Sequence, residues 1–202
     1  MEWNKPADQN SIDNAVNALK KNNIVSFVVS DEKEAKDKVM ELIPMGSEVL
    51  TLGSLTAEQI GITKEVNEGS IYKSVKNEIK AINDDKERLK VRRMKAASEY
   101  VVGSVHAVTE DGKLVAASAT GSQLPPILYS AGNVILVVGT QKIVKNLDDA
   151  FKRIQEYSLP LESERMMKKS GYGSSVNKII IINREGITDR IKVIFIKKNI
   201  GF

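Results

Sequence analysis

Two short polar loops carry the residue types that bind anions. Gly53-Ser54-Leu55-Thr56 and Thr120-Gly121-Ser122-Gln123 each follow an apolar, strand-like run. In each loop backbone N–H groups and hydroxyls can converge on a phosphate or carboxylate, and the first runs toward a helix whose positive end favours negative charge. The same residues also serve as plain punctuation, with Ser54 or Thr56 as a helix N-cap and Gly121 as the residue that turns the chain. Neither loop is a Walker A sequence or a G-x-G-x-x-G fingerprint, so nucleotide binding has little support. The ligand-binding candidates are Gly53, Ser54, Thr56, Thr120, Gly121, Ser122 and Gln123. His106, the single histidine, joins them as a structural or pocket-lining residue. If strand alternation from Tyr100 is unbroken, His106 shares a face with Ser104 and Glu110. Residues four apart on a strand are separated by roughly 13 Å, too far for a direct histidine–carboxylate relay.

One histidine cannot build a histidine-rich metal site, and the absence of cysteine excludes disulfides and thiolate-held iron–sulfur clusters. No calcium-loop spacing is present. No metal site and no cofactor is evident from the sequence, which leaves only a cation held entirely by oxygen ligands as an open alternative.

Helix and strand signals alternate in a way that predicts a layered α/β fold with a mainly parallel sheet. Ile12, Ala15, Val16 and Leu19 mark an amphipathic helix over about residues 8–22, with Ser11 as its expected N-cap. Strands follow at Ile24 to Val29 and Val49 to Leu52, separated by a helix that Asp31 caps and Pro44 ends. Two short helices and a longer one from about Asp84 fill the charged stretch to Ala97. Asp111-Gly112, between apolar runs, predicts a hairpin closed by a two-residue type I′ turn, which sets Glu110 opposite Lys113. Leu124-Pro125-Pro126 opens a helix. Asn133 to Val138 reads as a strand buried on both faces, and Leu147 to Tyr157 as a helix. Two β-rich runs within residues 178–198, Lys178 to Asn183 and Ile191 to Ile196, are expected as antiparallel neighbours that belong to the same domain.

The 202 residues suit one domain spanning 1–202, with ordinary fractions of hydrophobic (42%) and charged (28%) residues. No apolar run approaches the ~20 residues that cross a bilayer, and the first residues have no apolar core of a secretory signal. A cytoplasmic protein without membrane attachment is the expectation. The net charge of +4 comes from 30 basic and 26 acidic residues that are mostly interleaved. The exception, K-E-R-L-K-V-R-R-M-K from Lys86 to Lys95, reads as the solvated face of a helix with Leu89 and Met94 turned inward. No aromatic stacking set accompanies it, so no nucleic-acid partner is predicted.

T-E-D-G-K-L, T-G-S-Q-L-P-P and N-V-I-L-V-V-G-T-Q-K-I-V-K-N-L-D-D-A, together with Leu52-Gly53-Ser54-Leu55-Thr56 and the following Gly61, resemble the LUD family, the lactate-utilisation protein C type of domain, over about residues 15 to 155. The resemblance implies a three-layer α/β/α fold like that of the NagB/RpiA/CoA-transferase group, with the hairpin adding antiparallel strands. It names no reaction; taken with the two polar loops it leads to a LUD-type protein that binds a small anionic metabolite (hydroxy acid, sugar phosphate or CoA derivative) between the Gly53 and Thr120 loops, with Glu110 near the ligand. In some relatives it implies lactate oxidation with iron–sulfur redox partner proteins, in which case this chain would be a non-catalytic subunit. Many relatives carry a cysteine cluster where this chain has only serines, glycines and lysines between Lys168 and Asn177, so a metal role of that cluster is not expected here. Family I CoA transferases of the same fold place a nucleophilic glutamate beside a similar turn, which makes Glu110 the catalytic candidate, able to attack a thioester carbonyl if donors stabilise the oxyanion. The competing account of Glu110 is an ion pair with Lys113. Arg165, Lys168 and Lys169 either close over an anion or form a solvated helix face. Self-association into a homo-oligomer is compatible with the sequence.

Overall fold

A computed structural model describes residues 2–202. The first half runs α1 (Gln9–Lys21), β1 (Val25–Val29), α2 (Glu32–Leu42), β2 (Glu48–Thr51), α3 (Leu55–Gln59), α4 (Ile62–Glu68), β3 (Lys73–Ser74), α5 (Val75–Lys80) and α6 (Asp85–Met94). The second half runs β4 (Tyr100–Gly103), β5 (Ala107–Thr109), β6 (Leu114–Ser118), β7 (Asn133–Gly139), β8 (Ile143–Val144), α7 (Leu147–Arg153), α8 (Leu159–Ser170), β9 (Lys178–Ile182) and β10 (Ile191–Ile196). Asp8, Asp31, Ser54, Ser74, Asp84 and Asn146 start their helices by accepting the backbone N–H three residues on. Asp8 thus takes the capping role expected of Ser11, whose own N–H it accepts.

Six strands form one parallel sheet in the order β1-β10-β7-β4-β2-β3. Its central strands are apolar throughout because both faces are covered. Val134, Leu136 and Val138 of β7, with Ile191, Val193 and Phe195 of β10, face one core, which α1 helps to fill. Ile135 and Val137, with Ile194 and Ile196, face a second core built with α2, α3 and α4. A smaller sheet, ordered β8-β5-β6-β9, closes over the first core. The two C-terminal strands are not antiparallel neighbours: β10 runs parallel between β1 and β7, and β9 pairs antiparallel with β6 in the small sheet. An Ile-rich run fits either setting, so local pattern could not assign the partners.

The two sheets are joined by two chain crossings side by side. Neighbouring strands β4 and β7 leave the large sheet and continue, through Ser104 to His106 and through the tight turn Thr140–Lys142, into β5 and β8, which are parallel neighbours in the small sheet. The alternation expected from Tyr100 through Glu110 is broken at this crossing.

The hairpin differs from expectation in its loop. Ala107 pairs with Val115 and Val108 with Leu114, leaving the three residues Glu110-Asp111-Gly112 between Thr109 and Lys113. Gly112 N–H donates to Thr109 O, Thr109 N–H to Lys113 O, and only Gly112 has a positive φ, +81°, the geometry of a three-residue loop with a left-handed glycine. Glu110 therefore does not oppose Lys113, which pairs with Asp111 instead. A Cβ on Gly112 would lie 2.7 Å from the Ala18 carbonyl carbon of α1. Gly112→Ala should cost ~2 kcal/mol or more in urea denaturation, combining left-handed strain with that clash; a loss below ~0.5 kcal/mol would count against this packing.

Helix α6 buries no side chain, and Leu89 and Met94 are exposed instead of turned inward. The helix from Leu147 runs on to Ser170 through a widened π turn at Ile154–Ser158. Pro160 cannot donate to the carbonyl four residues back, and the widened turn lies immediately before it.

Candidate functional site

Three parallel strands deliver their C-terminal ends to one place. The loop after β2 brings Gly53 to Thr56, the crossing after β4 brings Ser104 and His106, and the turn after β7 brings Lys142. Together with the end of β6, Thr120, Gln123, the π turn and α8, they line a cavity of about 330 Å³ at the junction of the two sheets. Ligands of open α/β sheets bind outside the carboxyl ends of the strands for the same reason: the loops converge there and the core does not.

Lys142 sets the electrostatics. It is 2% exposed, and its Nζ donates to Thr56 Oγ1 (3.0 Å), Ser104 Oγ (3.1 Å) and Val105 O (3.4 Å). Among the described residues no carboxylate is paired with it. Burial, with the nearby Arg153 guanidinium, pulls the lysine down to about 7. Arg153 is itself fully buried, donating to Gln141 O, His106 O and Ser158 Oγ, with its Nη2 left without a partner. Burial lowers it to about 10, which leaves it charged at neutral pH. Burial, then Lys142 and Arg153, push His106 down to about 3. The imidazole is accordingly neutral, with Nδ1 accepting from Ala117 N–H and the proton on Nε2.

Of the residues expected from sequence, Gly53, Ser54, Thr56, His106, Thr120 and Gln123 line the cavity. Gln123 also bridges the two loops, since a Cβ on Gly53 would lie 3.1 Å from its Nε2. Ser54 Oγ caps α3 through Ala57 N–H, so its capping and cavity positions coincide. Gly121 and Ser122 stand outside the lining: Gly121 N–H donates to Ser118 Oγ, and Ser122 Oγ accepts from Arg92. Glu110 is also outside it. Its carboxylate accepts from Ser11 Oγ (2.9 Å) and Asn14 Nδ2 (3.1 Å), clipping the hairpin loop to α1. Arg165 lines the cavity, held to Glu162 by two hydrogen bonds, whereas Lys168 pairs with Glu164 at the surface. Among the described residues no group of three or more His, Cys, Asp or Glu could hold a metal ion, and no helix is long and apolar enough to cross a membrane.

Lys142 and Arg153 escaped the sequence reading. A partial signal existed for the first: Lys142 stands in the short Gly139-Thr140-Gln141-Lys142 link between the apolar strand Val134 to Val138 and the apolar pair Ile143-Val144, a setting in which a charge has no routine place. Arg153 looks like any basic residue near a helix end, and its burial follows from tertiary packing alone.

A family model for the LUD domain matches residues 12–196. Among solved structures, a DUF162 family protein from Deinococcus radiodurans superposes with a TM-score of 0.58 at 11% identity, covering 95% of this chain and 99% of its own. The delta subunit of eIF2B from Chaetomium thermophilum aligns with a TM-score of 0.38 at 16% identity, over 70% of this chain and 57% of its own. No curated protein is significantly similar in sequence.

Proposed function

The chain belongs to the LUD domain family, and we propose that it binds a small anionic metabolite in the cavity between the Gly53 and Thr120 loops, with Lys142 as the charged partner. The observation that carries this reading is a buried lysine in the lining of a cavity, its amine bonded to neutral oxygens and without a carboxylate in ion-pair distance among the described residues, while the Glu162 carboxylate in the same lining is held by Arg165. A buried ammonium without a counter-ion is costly, and an incoming carboxylate or phosphate supplies the missing charge. Arg153 behind the wall adds to the positive field. Hydroxy acids, sugar phosphates and CoA derivatives all present the required anion, and the association of the lactate-utilisation type with lactate puts hydroxy acids first.

Thermal unfolding against lactate and other hydroxy acids, sugar phosphates, CoA esters and nucleotides tests the reading. A ligand at ~100 times its Kd adds about 2.7 kcal/mol, and each kcal/mol raises Tm by ~2–4 °C in a domain of this size. Lactate stays anionic from pH 6 to 9, so the pH dependence of its binding reports the lysine. Affinity should fall by up to about tenfold per pH unit above 7, where Lys142 loses its proton, and level off below. A flat response to every anion would overturn the proposal.

A further inference from the structure

We infer that Lys142 is a nucleophile that forms an imine with a small aldehyde or ketone acid held in the cavity. The inference rests on the anion-binding reading and narrows the ligand to a carboxylate that carries a carbonyl group.

The geometry requires three things of such a lysine, and all three are present. Its Nζ must reach a space large enough for a substrate, and Lys142 lines the cavity beside His106 and Thr56. Its partners must tolerate the neutral amine as well as the ammonium. Thr56 and Ser104 hydroxyls accept from an ammonium and, by rotation, donate to a lone pair, whereas a carboxylate partner would hold the proton in place. Finally, the amine must be free at working pH, which burial beside Arg153 achieves. At pH near 7.4 a lysine titrating at about 7 has a free-amine fraction several hundred times that of an ordinary surface lysine, roughly 0.7 against 0.001.

The step balances without an added oxidant or reductant. The Nζ lone pair attacks the carbonyl carbon as the C=O π pair moves to oxygen. A proton passes from nitrogen to that oxygen, with the Ser104 or Thr56 hydroxyl within reach to relay it, giving a carbinolamine. The C–O bond then breaks, the nitrogen lone pair forms C=N, and the departing hydroxide takes a proton from solvent to leave as water. The neutral amine thereby becomes a protonated imine, whose positive charge, balanced by the proton that solvent gave to the departing hydroxide, lies beside the substrate carboxylate.

Glyoxylate with sodium cyanoborohydride is the probe, because reduction fixes the imine as a carboxymethyl amine that intact-mass and peptide mass spectrometry can locate. Lys142 should be labelled at least ~100-fold faster than surface lysines at neutral pH, an advantage set by its free-amine fraction. Its labelling rate should level off above pH 7 to 8, while theirs keep rising. Excess lactate should protect it, and propanal, which lacks the carboxylate, should label it more slowly. Lys142→Arg should abolish the fast adduct; the wild-type pH profile and site mapping decide the matter even if that variant folds poorly. Labelling of surface lysines with Lys142 unmodified would overturn the inference. If lactate still raises Tm in that case the anion site stands, whereas loss of that shift as well removes both.

Discussion

Lys142→Met should yield a protein that is more stable than wild type and no longer gains stability from any anion. Methionine matches the length of the lysine stem and removes the buried charge. The fall from 10.5 to about 7 corresponds to roughly 4–5 kcal/mol of folding free energy lost to the buried ammonium. Losing the bonds to Thr56 and Ser104 returns ~1–2 kcal/mol of that, so the variant should gain about 2–4 kcal/mol at pH 7 and below. Below about 7 the lysine is protonated in both states and the whole cost applies. Between about 7 and 10.5 the folded amine is neutral while the unfolded one still holds its proton, so the unfolded state binds more protons and wild-type stability climbs. The advantage of the variant should shrink across that window and disappear above it. Urea denaturation of both proteins at pH 6.5, 8 and 9.5 measures this difference, and a variant less stable than wild type at pH 6.5 would refute the account.

Arg190→Leu should lose ~3–5 kcal/mol, the expected cost of leaving a buried carboxylate alone. Arg190 is 3% and Glu185 8% exposed, and the guanidinium meets Glu185 Oε2 through Nε (2.9 Å) and Nη2 (2.7 Å). The same guanidinium donates to Ile127 O (2.9 Å), Leu128 O (3.1 Å) and Ala131 O (3.2 Å), so it also closes the widened helical turn Pro126–Ser130. Burial raises the Glu185 carboxyl, but the bonds from Arg190 and from Ile187 N–H outweigh it and leave it below the ordinary carboxylate value. The stability this depressed carboxyl contributes is present above that ordinary value and is lost as the pH falls through the lower folded one. Equilibrium denaturation of Arg190→Leu at pH 7 provides the check. A cost under ~1 kcal/mol would mean that the pair contributes little to holding the turn.

The contrast between these two cations bears on how much of the molecule could be read from sequence. Asp31 as a cap, the buried strand at Asn133 to Val138 and the two polar loops follow from local rules of capping, periodicity and turn chemistry, and the loops do meet at one cavity. The partners of β9 and β10 could not be read, because a strand carries its face alternation in its sequence but not the identity of its neighbour. The turn at Gly112 deceived for a related reason. Asp-Gly suits several turns, and the choice among them was made by the packing of Gly112 on Ala18 and by the bonds from Asn22 to Asp111 O and Gly112 O. Lys142 and Arg153 acquire their properties only through burial, and burial of a charge is a fact of tertiary structure.

The position of β10 has a kinetic consequence. Strand β10, which follows β1 by about 160 residues, lies between β1 and β7, and among the described residues β1 has no other strand beside it. Until β10 arrives, β7 presents an open apolar edge and β1 hangs from α1 without a ladder, so the large sheet cannot close while the C-terminal segment is still being synthesised. Pairings between opposite ends of a chain form slowly, and unpaired apolar edges recruit other strands in the meantime. Folding intermediates in which residues 191–196 have not yet docked are therefore expected to expose the β7 edge and to be the aggregation-prone species.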